Sequence, residues 1–168
     1  MKTVHYFAYG SNMSSLHFRQ RVPSGEHYTV AVLHRHALAF HKRGVDGSAK
    51  CDVVDTGNPG NRVYGVVYAI DEEHLPQLDL AEGNGYGYSR KTIEVDVGSG
   101  ALIQAECYFA TDTSPGLMPY GWYREHVLTG ARQAGLPARY VADIAAILCQ
   151  QDPDQHRHAR ELSLYRKR

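Results

Sequence analysis

A chain of 168 residues is long enough for one domain with a real core, and its 18 basic and 18 acidic side chains cancel. That balance excludes the one-sided field of a nucleic-acid or anionic-membrane binder, and the terminal Arg166-Lys167-Arg168 reads as a solvated tail. No apolar run approaches membrane-spanning length, and three widely spaced cysteines fit reduced thiols in a cytoplasmic protein better than a disulfide frame or a zinc site.

The apolar run Val4 to Tyr9 has no clean alternation, as expected of a strand covered on both faces. It stops at Gly10-Ser11-Asn12, where glycine permits a sharp turn and Ser11 or Asn12 stands as a helix cap before the segment Ser14 to Arg21. Backbone N–H groups at such a strand–turn–helix junction converge on a point that suits a carboxylate or an oxyanion. After the Pro23-Ser24-Gly25 turn, Tyr28 to His41 reads as one long strand, bent near His34-Arg35-His36. Ala49 to Asp55 is a short strand, Thr56 to Asn61 a turn, and Val63 to Ile70 an apolar strand.

Asp71 with Glu72 and Glu73 opens a short helix whose apolar face is Leu75 and Leu78, and Gly83 closes it after Glu82. A glycine-rich loop, Asn84 to Gly87, leads to Tyr88. Ile93, Val95 and Val97 alternate with polar residues, as do Ile103, Ala105, Cys107 and Phe109 with Gln104, Glu106 and Tyr108, and Gly98-Ser99-Gly100 joins the two strands as a hairpin. Tyr123, Val127, Ala131 and Ala134 share a helical face; Gly135 and Pro137 mark a stop and a restart. Tyr140, Val141, Ile144, Ile147 and Leu148 form the stripe of a last helix, and Cys107 and Cys149 fall in core patterns. Beyond Pro153 the chain is charged and expected to be loosely held, giving a domain over 1–152 and a tail over 153–168. Strands joined mainly by short turns, with helices inserted and appended, indicate an α+β fold around a mostly antiparallel sheet or barrel.

The chemistry-bearing candidates are few. Glu82 ends a helix beside a flexible loop with Leu78 and Leu80 close by, and a carboxylate partly withdrawn from water becomes a usable proton shuttle. On spacing alone the plainer reading is a solvated acid at a helix end. Ser11 lacks the Gly-x-Ser-x-Gly context of a hydrolase nucleophile. His34-x-His36 and His156-x-His158 offer metal-ligand pairs without an evident third ligand, and solvated histidines are the simpler reading. Twelve tyrosines against four phenylalanines allow an interior that holds a polar ligand, or ordinary strand faces and interfaces.

Together, Tyr6-Phe7-Ala8-Tyr9-Gly10-Ser11-Asn12-Met13, Val63-Tyr64-Gly65-Val66-Val67-Tyr68, Leu78-Asp79-Leu80-Ala81-Glu82-Gly83, Tyr88 with Val95, Tyr123 and Gly130-Ala131…Gly135-Leu136-Pro137 resemble the γ-glutamylcyclotransferase family over about the first 140 residues. The Tyr-Gly-Ser-Asn signature and the Glu-Gly are specific together, and the rest is supporting pattern. Met13 stands where leucine is common, and the loop from Glu82 to Tyr88 is glycine-rich and compact. The resemblance implies a small mixed, mostly antiparallel β-barrel with flanking α-helices. It implies an enzyme that closes a γ-glutamyl amide on itself, giving 5-oxoproline and a free amine. Tyr9, Gly10, Ser11 and Asn12 would bind the γ-glutamyl group, Tyr88, Tyr108 and Tyr123 would line the pocket, and Glu82 would be the general acid/base. Under the resemblance the order of readings for Glu82 reverses. The reaction requires no metal or other cofactor; its partner is a small γ-glutamyl substrate, not nucleic acid or a membrane, and a homodimer is permitted. The alternative is a non-catalytic protein of the same fold that binds an amino-acid-like ligand.

Overall fold

The computed structural model describes residues 1–166; Lys167 and Arg168, part of the expected solvated tail, lie outside the described residues. Seven strands and five α-helices follow in the order β1 (Thr3–Ala8), α1 (Ser15–Arg21), β2 (Glu26–His34), β3 (His36–Arg43), β4 (Ala49–Asp55), β5 (Arg62–Asp71), α2 (Leu75–Glu82), β6 (Tyr88–Asp96), β7 (Leu102–Ala110), α3 (Gly121–Gln133), α4 (Ala138–Ala145) and α5 (Gln155–Leu162). Five strands close a barrel in the order β1-β5-β2-β6-β7, and β3 with β4 forms a separate two-stranded sheet. Four barrel pairings are antiparallel, and β1 meets β7 in parallel at Tyr6 and Glu106, so the barrel is mixed and mostly antiparallel, as the resemblance implies.

The strand expected over Tyr28 to His41 is two strands. Arg35 has φ +65°, a conformation that bulky side chains rarely adopt, and it redirects the chain from the barrel to the β3–β4 sheet. Its N–H donates to Asn61 and its carbonyl accepts from Thr56 N, so the corner loses neither backbone bond. The hairpin after β6 holds at Asp96, whose carboxylate accepts from Gly98 N at 2.8 Å and Gly100 N at 3.2 Å.

Two differences concern the C-terminal third. The stripe expected to reach Leu148 ends at Ala145, and Leu148 is exposed, as the helix stops before Ile147 and Leu148 can turn inward. The expected loose tail instead contains α5, capped by Asp154, whose side chain accepts from Arg157 N. Buried Asp152 anchors it, accepting from Arg157 at 2.6 Å and 2.7 Å and from Trp122 Nε1 at 2.8 Å. Tyr165 then donates to Ser14 Oγ at 2.8 Å, and Glu161 pairs with buried His126 at 2.9 Å. Cys51 and Cys107 are buried, while Cys149, expected in the core, is only half-buried because it follows the early end of α4.

The core joins the β1 aromatics to α3. A short 3₁₀ turn, Ser11–Met13, leaves β1 and lies directly on α3. The contact needs Gly130: a Cβ there would stand 2.4 Å from the Met13 carbonyl carbon and 2.5 Å from Ser14 N. Gly130→Ala gains about 1 kcal/mol of helix propensity but meets backbone that cannot give cheaply. We expect a net loss of roughly 1–2 kcal/mol, read as a lower denaturant midpoint, since overpacking of this kind typically costs more than the propensity gain. An unchanged midpoint would contradict this packing.

Candidate functional site

The turn after β1 and the end of α2 are brought together by α1. Gly10 does not use the positive φ that its residue type allows; its φ is −113°. What it supplies is space, because a Cβ would stand 3.0 Å from Cys51 Cβ and 3.3 Å from the Tyr123 hydroxyl. Ser11 and Asn12 open the 3₁₀ turn, so their N–H groups precede its first internal bonds, which run from Met13 N to Gly10 O and from Ser14 N to Ser11 O. From the facing side, α2 ends with Glu82, and Gly83 closes it in the left-handed conformation (φ +68°).

The Glu82 carboxylate is largely enclosed, its side chain 12 % exposed. Its Oε1 accepts from Asn12 Nδ2 at 2.7 Å and from Arg21 at 3.1 Å, the latter reaching over from the last residue of α1. The apolar setting expected from Leu78 and Leu80 is half present: Leu78 is fully buried, but Leu80 is 75 % exposed. Glu82 instead faces an amide and a guanidinium. Asn12 Nδ2 also donates to the Tyr6 hydroxyl at 3.0 Å, and because a carboxylate accepts, these contacts fix the amide orientation. Asn12 Oδ1 is then buried with no partner, an acceptor available to an N–H from outside the protein.

Glu82, Tyr9, Gly10, Ser11, Asn12, Tyr88, Tyr108 and Tyr123, singled out from the sequence, all line one inner chamber of about 30 Å³, together with Tyr6 and Cys51. The tyrosines are held by their hydroxyls. Tyr88 donates to the Cys51 carbonyl at 2.7 Å, the Tyr123 hydroxyl accepts from Cys51 N at 2.9 Å, Tyr9 donates to the Tyr108 carbonyl, and Tyr108 donates to Asp79 at 2.7 Å. Burial pushes the phenols of Tyr6, Tyr9, Tyr88 and Tyr123 well above their ordinary range, and that of Tyr108 likewise, so all five remain neutral. Burial also pushes the Cys51 thiol up to about 12, which keeps it protonated and inert. Cys51 contributes its backbone.

The chamber opens into an outer pocket of about 580 Å³. Ser11, Glu82, Tyr88 and Tyr123 line both spaces, so the carboxylate stands at their junction. The outer walls carry Arg21, Lys42, Arg43 and Lys50, and the acids Asp112 and Glu161.

Among the described residues, neither His34 with His36 nor His156 with His158 falls in a group of three possible metal ligands. His34 pairs with Asp96 at 2.9 Å, and His36 Nδ1 lies 2.8 Å from the His34 carbonyl, across the Arg35 corner. One other grouping, His17, His126 and Glu161, brings its ligand atoms within 4.8 Å of one another. The two imidazoles stack 4.3 Å apart at 22°, so their in-plane lone pairs run side by side instead of converging on an ion. His126 is further engaged by Tyr165 and Glu161, so the grouping fits a ligand set poorly. No helix among the described residues is long and apolar enough to cross a membrane.

Sequence reasoning missed Tyr6, Arg21 and Lys42. Tyr6 lies inside the quoted signature and carried a signal that went unused. Arg21 carried none, since its contact with Glu82 spans 61 residues.

The model of the AIG2-like family matches residues 62–144. The chain is 31 % identical over 146 residues to a gamma-glutamylcyclotransferase of Bos taurus, covering 84 % of this chain and 77 % of that protein. The Homo sapiens gamma-glutamylcyclotransferase is 31 % identical over 148 residues, with the same shares covered. A solved gamma-glutamyl cyclotransferase superposes with a TM-score of 0.82 at 26 % identity, over 89 % of this chain and 90 % of that one.

His17, in the outer-pocket wall, is 7 % exposed with both ring nitrogens unpartnered. Burial, with the charges of Arg21, His126 and Lys50 adding to it, lowers its pKa from 6.5 to about 2. Between those values the unfolded chain holds a proton that the folded chain lacks, so stability falls as pH drops below 6.5. His17→Phe keeps the stack on His126 and removes the titration. Its melting temperature should fall less than that of the unaltered protein between roughly pH 7 and pH 5. Equal falls would contradict the assignment.

Proposed function

Since the chain belongs to the γ-glutamylcyclotransferase family, we propose that it closes a γ-glutamyl amide to 5-oxoproline, with Glu82 as the group that moves the proton. The observation that carries this reading is the position of the Glu82 carboxylate, at the junction of a tyrosine-lined chamber and a wider pocket.

The substrate contains its own nucleophile. Its α-amine attacks the γ-carbonyl carbon, the new C–N bond closes a five-membered ring, and the bond to the leaving nitrogen breaks. No water is consumed. Holding the chain in the ring-closing shape is the larger part of the task, since well-oriented intramolecular attack reaches effective molarities of about 10⁵–10⁸ M. The amine arrives mostly protonated, as an α-amino group titrates near ~8. The ammonium gives up one proton to solvent to free its lone pair; Glu82 then accepts the proton that attack releases from the ring nitrogen and delivers it to the departing nitrogen, a role typically worth roughly 10²–10⁴-fold.

The neighbours suit these steps. Asn12 Oδ1 is a buried acceptor without a partner, beside Glu82, where the α-amine needs one. Asn12 Nδ2 and Arg21 hold the carboxylate by Oε1, which orients it without blocking Oε2. At about 30 Å³ the inner chamber takes little more than one water-sized group, so the γ-glutamyl unit must straddle its mouth. We assign the chamber to the substrate α-carboxylate or the developing oxyanion, facing the Ser11 and Asn12 N–H groups and the neutral phenols. Of these phenols, Tyr6 and Tyr123 accept from Asn12 Nδ2 and Cys51 N and so keep an O–H to donate, and being neutral they bring no negative charge near that oxygen.

Glu82→Gln keeps the size of the side chain and an acceptor for Asn12 and Arg21, but it cannot carry a proton at neutral pH. Release of 5-oxoproline should fall at least about 10²-fold while the melting temperature stays close to that of the unaltered protein. Turnover near the unaltered level would remove Glu82 from the mechanism.

A further inference from the structure

The four cations around the outer pocket differ in what they already hold. Arg21 is bound to Glu82 at 3.1 Å. Lys50 reaches Asp46 at 2.9 Å and Ser48 at 3.0 Å, and lies over the Trp122 and Tyr123 rings. Arg43 lies 3.6 Å from Asp112. The Lys42 side chain has no hydrogen bond or ion pair among the described residues, although the residue is only 8 % exposed. Its ammonium lies 4.8 Å above the centre of the Tyr88 ring. Glu82, Asp112 and Asp46 attract it from beyond contact, and burial outweighs them in lowering its pKa.

Lys42 is mostly covered, with its ammonium at the pocket wall and no counter-ion; such a partly desolvated charge is costly, and a ring face offsets only part of that. The chain nevertheless leaves room for it. A Cβ at Gly87 would stand 3.1 Å from Lys42 Nζ and 3.5 Å from its Cε, so glycine at this loop position keeps the ammonium's space open. Gly87 and Lys42 both line the outer pocket beside Glu82.

Which part of the substrate reaches this ammonium follows from volume. The inner chamber cannot take the leaving group, and the outer pocket of about 580 Å³ can. The leaving nitrogen is at the Glu82 junction, because Glu82 protonates it, so the rest of the leaving group extends towards Lys42. We propose that Lys42 binds a carboxylate on the departing amine and so determines specificity, favouring γ-glutamyl amides whose amine carries an acid group over those whose amine is neutral. The assignment rests on the reaction proposed above. The carboxylate supplies the counter-ion that Lys42 lacks, in a charge-assisted hydrogen bond.

A matched pair of substrates isolates that group: γ-glutamyl-alanine, and γ-glutamyl-ethylamide, whose leaving amine is the same size apart from the missing carboxylate. Turnover of both is measured for the unaltered protein, for Lys42→Met, which keeps the aliphatic stem, and for Lys42→Arg, which keeps the charge. The unaltered protein should prefer γ-glutamyl-alanine. Lys42→Met should lower its kcat/KM by roughly tenfold or more, mainly through KM, and leave that for the ethylamide within about twofold. Turnover of the ethylamide then serves as the folding control, and Lys42→Arg should restore much of the preference. Equal losses on both substrates, or no loss on either, would overturn the assignment while leaving the cyclisation reading in place. If the unaltered protein turns over neither compound, that reading fails, and calorimetric binding of the same pair decides on Lys42 alone. Tighter binding of γ-glutamyl-alanine that Lys42→Met abolishes would support the anchor, and equal binding of the pair would overturn it.

Discussion

The site depends on how closely the turn after β1 lies against its surroundings. Gly10 touches Cys51 and the Tyr123 hydroxyl on one side, and Met13 and Ser14 rest on bare helix backbone at Gly130 on the other. The carbonyl of Met13 accepts from Tyr68 at 3.1 Å, which ties the same turn to β5. A segment held from three directions presents its N–H groups and Asn12 in one arrangement, and preorganised donors are what oxyanion stabilisation requires. From Asn12 the constraint passes to Glu82 through a bond of 2.7 Å. The acid on α2 is thus positioned by a turn 70 residues earlier in the chain.

The interior sets polar groups among aromatic carbon. Tyrosine fills the barrel mouth as phenylalanine would, but each hydroxyl has an address, on the Cys51 backbone, the Tyr108 carbonyl, Asp79 or Asn12. Burial keeps these phenols neutral, and Tyr6 and Tyr123, whose oxygens accept, add donors without adding charge. The charged residues that line the two spaces stand at the junction and in the outer pocket, where Arg21, Lys50 and Arg43 have acids of their own and Lys42 has none among the described residues. That gradient from neutral donors to cations matches a substrate whose reacting end must be desolvated and whose departing end must stay soluble.

Much of the fold was legible because strand periodicity is local. The alternation of Ile93 and Val95 with Thr92 and Glu94, and the Gly98-Ser99-Gly100 turn, lead directly to the β6–β7 hairpin. A bend at His34-Arg35-His36 was legible, but not that it divides the strand between two sheets, since a positive φ at an arginine is imposed by its partners Asn61 and Thr56 and not by its residue type. α5 was missed for a similar reason. It is polar, and Asp152, Glu161 and Tyr165 hold it by contacts with Trp122, His126 and Ser14, the shortest of which spans 30 residues. In the site, the turn at Gly10-Ser11-Asn12 stood out from its strand–turn–helix pattern, whereas Glu82 stood out through family resemblance, since chemistry alone would have left it a solvated acid. Tyr108 shows why spacing misleads. It occupies a polar position in the alternation of β7 yet is buried, because Asp79 of α2 covers that face.

The central claim is that the γ-glutamyl group attacks itself and no water enters. The most direct measurement is the product balance from γ-glutamyl-alanine, with 5-oxoproline, alanine and glutamate quantified together over a full time course. Intramolecular closure requires 5-oxoproline and alanine in equal amounts, with no glutamate. Glutamate in place of 5-oxoproline would show that water is the nucleophile and would contradict the account, as would intact substrate after prolonged incubation with the folded protein.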